Sequence, residues 1–110
     1  MKIKIDKELF QWEQNREVFV DFDKDPIKPQ YVQFYNLNTK TSPLVELYNN
    51  RAIIPEDLLQ IPAPITVLAC TDSQVLARQE FRVLKRPKPE GYDSSSKELL
   101  KLNTLLGGDI

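Results

Sequence analysis

From Ile3 to Leu84 apolar and polar residues alternate, and this period of two sends successive side chains to opposite faces of a pleated strand, which commits the chain to β-structure. The pattern stops in Phe81-Arg82-Val83-Leu84-Lys85-Arg86-Pro87-Lys88-Pro89-Glu90-Gly91-Tyr92. Proline fixes φ and lacks a backbone N–H, so a Pro-x-Pro pair cannot lie in a central strand and reads as a short extended strut. Three regions are therefore expected: a β-sandwich domain over 1–86, an extended linker over 87–94, and a C-terminal helical arm over 95–110.

Within the first region, Ile3 and Ile5 share one face of a first strand. Val18, Val20 and Phe22 share one face of a second, leaving Arg16, Glu17 and Asp21 for solvent. Asp23 to Pro29 turns the chain, and Gln30 to Asn36 is a third strand with Val32 and Phe34 facing one way and Tyr31, Gln33 and Tyr35 the other. A loop to Pro43 leads into Leu44–Tyr48. Asn49-Asn50 then makes a tight turn, because asparagine tolerates the left-handed conformation, and Ala52-Ile53-Ile54 is a strand ended by Pro55. Pro55 to Gln60 predicts one helical turn crossing between sheets, with proline at its first position and acidic residues at its positive end. Ile65–Cys70 and Leu76–Leu84 form a last hairpin around Thr71-Asp72-Ser73, with Val67, Phe81 and Val83 in the core. About seven short strands with turn signals every ~8–12 residues predict an all-β, immunoglobulin-like two-sheet sandwich.

Beyond the serine run Ser94-Ser95-Ser96 the period lengthens to about 3.6. Leu99, Leu102, Leu105 and Leu106 fall on one stripe, Ser95 and Glu98 have capping-box spacing, and Gly107-Gly108 ends the run, which predicts a short amphipathic helix. About three turns are marginal alone in water, so the stripe needs a surface. That surface is either the sandwich itself or another subunit.

Little in the chain resembles catalytic equipment. The sequence has no histidine and one cysteine, Cys70, which removes histidine triads, the common zinc sites and internal disulfides. Cys70 lies on a predicted strand and reads as a small buried residue with no activating base. None of the three glycines sits between a strand and a helix as a phosphate-cradling loop requires. Asp21, Asp23 and Asp25 alternate as calcium ligands do, but the distal glutamate of an EF-hand is missing and a solvated turn explains them. Phe10, Trp12 and Tyr92 read as caps on the core, with Trp12 closing one end of the sandwich. No enzyme, cofactor or metal is expected.

Fifteen basic residues against sixteen acidic ones leave a net charge of −1, so there is no general electrostatic attraction to nucleic acid or anionic lipid. No apolar run approaches the ~18 residues of a membrane span, and the opening Met-Lys-Ile-Lys-Ile-Asp lacks the apolar centre of a signal peptide. Contact with another protein remains as the expected activity. The candidate interface combines the basic residues Lys85, Arg86 and Lys88 with Tyr92 and the leucines Leu99, Leu102, Leu105 and Leu106. The cations alternatively serve to keep an edge strand from pairing.

The segments Leu9-Phe10-Gln11-Trp12-Glu13, Tyr31-Val32-Gln33-Phe34, Ala52 to Gln60 and Phe81 to Tyr92, in this order and spacing, make residues 3–92 resemble a family. It is the immunoglobulin-like N-terminal module of small phage and prophage structural proteins (head-fibre or minor structural proteins) of Gram-positive gut bacteria. After Tyr92 the chain departs from it, with Asp93 and a serine run in place of the family's continuation. The resemblance implies a non-enzymatic virion protein assembled in the host cytoplasm. A capsid decoration or head-fibre base protein is expected first, contacting the major capsid protein or fibre and tail subunits, with a homo-oligomer possible. A tail or baseplate adaptor is one alternative. A carbohydrate-binding adhesion module using Tyr31, Tyr35 and Tyr48 is another.

Overall fold

The computed structural model describes residues 1–22 and 24–92. Within them the alternation resolves into nine short strands and one turn of 3-10 helix: β1 (Lys2–Ile5), β2 (Leu9–Phe10), β3 (Glu17–Asp21), β4 (Tyr31–Tyr35), β5 (Leu44–Glu46), β6 (Arg51–Ile53), the helical turn Glu56–Leu59, β7 (Ile65–Cys70), β8 (Val75–Phe81) and β9 (Val83–Leu84). The chain is all-β over this range. The predicted arm, with Leu99, Leu102, Leu105 and Leu106, lies outside the described residues, as does Asp23.

Two antiparallel sheets hold the core between them. One has the order β1-β3-β6 and the other β5-β4-β7-β8, while β2 and β9 make a small parallel pair. The strands form where the sequence alternates: in β3 Val18 and Val20 are buried between half-exposed Glu17, Phe19 and Asp21, and in β4 Val32 and Phe34 are buried between Tyr31, Gln33 and Tyr35. Ile3, Val18, Val20 and Ala52 from the first sheet join Val32, Phe34, Ile65, Val67 and Ala69 from the second in one apolar cluster, closed by Leu9, Ile54, Leu58, Leu59 and Val83. Each large side chain buried there contributes about 1.5–3 kcal/mol before ordering costs.

Of the connections that pass from sheet to sheet, those from β5 to β6 and from β6 to β7 follow local chemistry. Tyr48 and Arg51 exchange backbone hydrogen bonds of 2.8 and 3.0 Å around Asn49 and Asn50, whose φ angles of 50° and 63° are those of the tight hairpin turn that asparagine tolerates. Pro55 starts the 3-10 turn with its φ at −56°, and the turn buries Leu58 and Leu59 while carrying the chain from β6 to β7.

Two expectations change. The segment expected as one strand from Leu76 to Leu84 is divided at Arg82: β8 stays with β7, whereas β9 leaves to pair with β2. Arg16, expected to face solvent, is only 7% exposed. Its guanidinium donates to the Glu8 and Lys7 carbonyls at 2.8 and 2.6 Å, to Asp6 Oδ1 at 2.9 Å and to Glu13 Oε1, so both terminal nitrogens are engaged by the loops around β2. The same guanidinium, hydrogen-bonded to Asp6, holds that carboxyl below its ordinary value of 3.8.

Candidate partner interface

One end of the sandwich is organised by Gln11, a buried polar residue just after β2. Its backbone N–H donates to the Leu84 carbonyl at 2.9 Å and its Nε2 to the Gln60 carbonyl at 3.0 Å. Arg86 answers from the other side: its N–H donates to Gln11 Oε1 at 3.1 Å and its Nε to the Gln11 carbonyl at 2.8 Å. Every hydrogen-bonding group of that glutamine is thereby engaged. A buried amide left unmatched costs more than a matched one gains, so this hub fixes the spacing of three separate chain segments.

Trp12 extends the hub outward. Its φ of 69° is uncommon for a bulky residue, and it is held by its N–H donating to the Leu59 carbonyl at 2.9 Å and by Nε1 donating to the Arg86 carbonyl at 3.0 Å. The indole, expected to cap the core, is half-buried. Tyr92 meets the indole edge-on, with ring centroids 5.3 Å apart and planes at 70°. Lys88 Nζ lies 5.3 Å from the Trp12 ring and 5.8 Å from the Tyr92 ring, within the range of cation–π attraction.

Tyr92 reaches this position through a turn. Its N–H donates to the Pro89 carbonyl at 3.3 Å, and Gly91 takes a φ of 75° at the third position, a conformation that glycine adopts freely. Between the strand end and Tyr92 the chain is therefore fastened to the body. Of the expected interface residues, Arg86, Lys88 and Tyr92 converge here, Lys85 projects into solvent beside them, and the four leucines lie beyond the described residues. Sequence reasoning missed Gln11 and Gln60. Their only signal is that two glutamines flank strongly apolar positions.

The outer face of β4 is a second surface. Tyr31 and Tyr35 share it with Gln33, whereas Tyr48 stands apart on the hairpin and is 77% exposed. Beside Tyr35 a shallow cleft of about 460 Å³ is lined by Gln33, Thr39, Lys40, Thr41 and Ser42. Gln33 Nε2 donates to the Ser42 carbonyl at 2.8 Å, and the Ser42 hydroxyl donates to the Phe34 carbonyl, so the loop is tied to β4.

Cys70 is buried on the same outward rows, its thiol 3.7 Å from the Tyr31 carbonyl, and burial raises its pKa. Among the described residues, which leave out Asp23 of the aspartate alternation, no group of three acidic, cysteine or histidine side chains could hold a metal ion. No described helix is long and apolar enough to cross a membrane. No family model, curated protein or solved structure matches the chain.

Proposed function

We propose that the chain is a non-enzymatic structural protein of a phage particle, a capsid decoration or head-fibre base protein whose sandwich docks on the shell. The observation that carries this reading is the fastening of residues 84–92 through Gln11, Trp12, Lys88 and Tyr92, which gives the following eighteen or so residues a fixed point of departure. A body that launches a segment from a defined place suits an adaptor. The leucine stripe Leu99, Leu102, Leu105 and Leu106 supplies the apolar grip, and Lys85, exposed beside the exit, is available to an acidic neighbour. The strand order adds support for an immunoglobulin-type sandwich: first, third and sixth strands in one sheet, fifth, fourth, seventh and eighth in the other.

The reading is tested by fractionating particles into heads and tails and probing both for this chain, with and without residues 95–110. Presence on heads, reduced by the truncation, is expected. Presence on tails alone selects the baseplate adaptor, and unchanged occupancy of the truncated chain removes the anchoring arm. The cleft beside Tyr35, with hydroxyl and amide groups around an aromatic ring, favours glycan adhesion as a second reading. A glycan array with the isolated protein decides it.

A further inference from the structure

The outer edge of β8 has a register written into it. Two contacts set the backbone parity of the four-stranded sheet: the Thr71 N–H donates to the Gln74 carbonyl at 2.9 Å, which turns odd-numbered residues of β7 toward β8, and the Leu47 N–H donates to the Gln30 carbonyl at 3.0 Å, which turns even-numbered residues of β4 toward β5, although at the entry to β4 the Gln30 N–H itself goes to the Cys70 carbonyl at 3.0 Å. Tyr31, Gln33 and Tyr35 therefore use Cys70, Leu68 and Thr66, leaving Ile65, Val67 and Ala69 to bond with Phe81, Gln79 and Ala77. Arg78 and Glu80 are left with N–H and C=O groups pointing off the sheet. The Glu80 carbonyl agrees with this parity, accepting the neighbouring Gln79 Nε2 at 3.2 Å on the exposed side.

Among the described residues no strand is paired to this edge. Gln79 stands opposite buried Val67 and so occupies an inward position, yet it is exposed together with Arg78 and Glu80. The unpaired edge also carries opposite charges two residues apart on one face. Antiparallel pairing of β8 with β8 of a second copy, centred on Gln79, sets Arg78 of each copy across from Glu80 of the other. The same register places their outward backbone groups in the closely spaced hydrogen-bonding pair. Shifting the centre to Arg78 or to Glu80 sets like charges opposite each other.

We propose that the chain self-associates through β8 in this Gln79-centred register, joining two four-stranded sheets into one continuous sheet about a two-fold axis. The interface is isologous: a single patch supplies both halves, and its two ion pairs are related by symmetry. Charges on an edge ordinarily discourage pairing with arbitrary strands. Here they reject other partners and other registers while accepting the same sequence running the opposite way. The Gln79 amide gives up the Glu80 carbonyl, which then takes the Arg78 N–H of the other copy.

Sedimentation of the purified full chain over a concentration series tests this without any particle, and so independently of the virion reading. A monomer–dimer equilibrium is expected. Arg78→Glu and Glu80→Arg should each weaken it about tenfold, because each places like charges opposite at two symmetric positions, and the double variant Arg78→Glu/Glu80→Arg should restore it. The emission of Trp12, the one tryptophan, reports that each variant is folded. A chain that stays monomeric, a dimer indifferent to both single variants, or a double variant no better than the single ones overturns the proposal. An edge that accepts only a strand from an unrelated protein gives the first of these results.

Discussion

β8 and β9 are one stretch of chain with opposite fates. Both belong to the same uninterrupted alternation, but β8 ends as an exposed edge with Arg78 and Glu80 unpaired across it, whereas β9 and the residues after it have their backbone groups claimed by Gln11 and Trp12. The switch takes place within Arg82. What differs is the neighbour: β9 has β2 and a buried glutamine beside it, whereas β8, paired with β7 on one side, has no described strand on the other. An edge is thus a matter of which segment lies next to it, while the strand itself carries the same pattern of inward Phe81 and Val83 on either side.

The largest effect on this contrast comes from removing the support beneath β2. Arg16→Ala leaves Asp6, Glu13 and two carbonyls without their buried cation, and a loss of about 3 kcal/mol in urea unfolding is expected. The pH dependence has a defined sign. Because the Asp6 carboxyl is held below 3.8 in the folded state, its contribution is complete above that value and disappears as pH falls through the lowered one. Thermal unfolding should therefore show a steeper acid decline in the parent chain than in Asp6→Asn.

Gln11→Ala comes next. It strips the partners from the Arg86 N–H and the Gln60 carbonyl, and about 2 kcal/mol should be lost. Hydrogen exchange should then accelerate at residues 84–86 while β7 keeps its protection, making the fastened half of the stretch resemble the open half. A retained slow Arg86 amide would show that β2 alone holds β9.

Lys88→Ala is the smallest and sharpest probe. An exposed cation–π contact is worth about 0.5–1 kcal/mol, so unfolding changes little. Trp12 emission and its quenching by iodide should nevertheless change, since Lys88 and Tyr92 cover the indole. Unaltered quenching would mean that the turn at Gly91 holds Tyr92 in place without the lysine.

Much of the architecture is legible in the residues themselves. Val18, Val20, Val32 and Phe34 face inward where alternation puts them, Asn49-Asn50 turns as its side chains allow, and Pro55 opens a helical turn that crosses between sheets. Arg16 was hidden because an arginine beside a strand ordinarily faces water, and only the meeting of the Asp6–Glu8 loop with Glu13 provides it with buried acceptors. The division at Arg82 was hidden for a different reason. Periodicity records which side chains point inward, and both β8 and β9 obey it, whereas the choice of hydrogen-bonding neighbour depends on residues some seventy positions away. The candidate interface is divided in the same manner: Lys88 and Tyr92 stand out by type, while the glutamine that positions their segment does not.

That separation bears on how the protein is made. The Arg86 amide and Gln11 Oε1 are 75 residues apart in sequence, and the Trp12 indole waits on a carbonyl 74 residues downstream. Such non-local closure slows folding and keeps apolar surface accessible in the interval. During synthesis the first strands emerge long before their end-cap exists, so Leu9 and its surroundings stay unlocked until nearly the whole sandwich has left the ribosome, and completion of the final strand acts as the timing step for the fold.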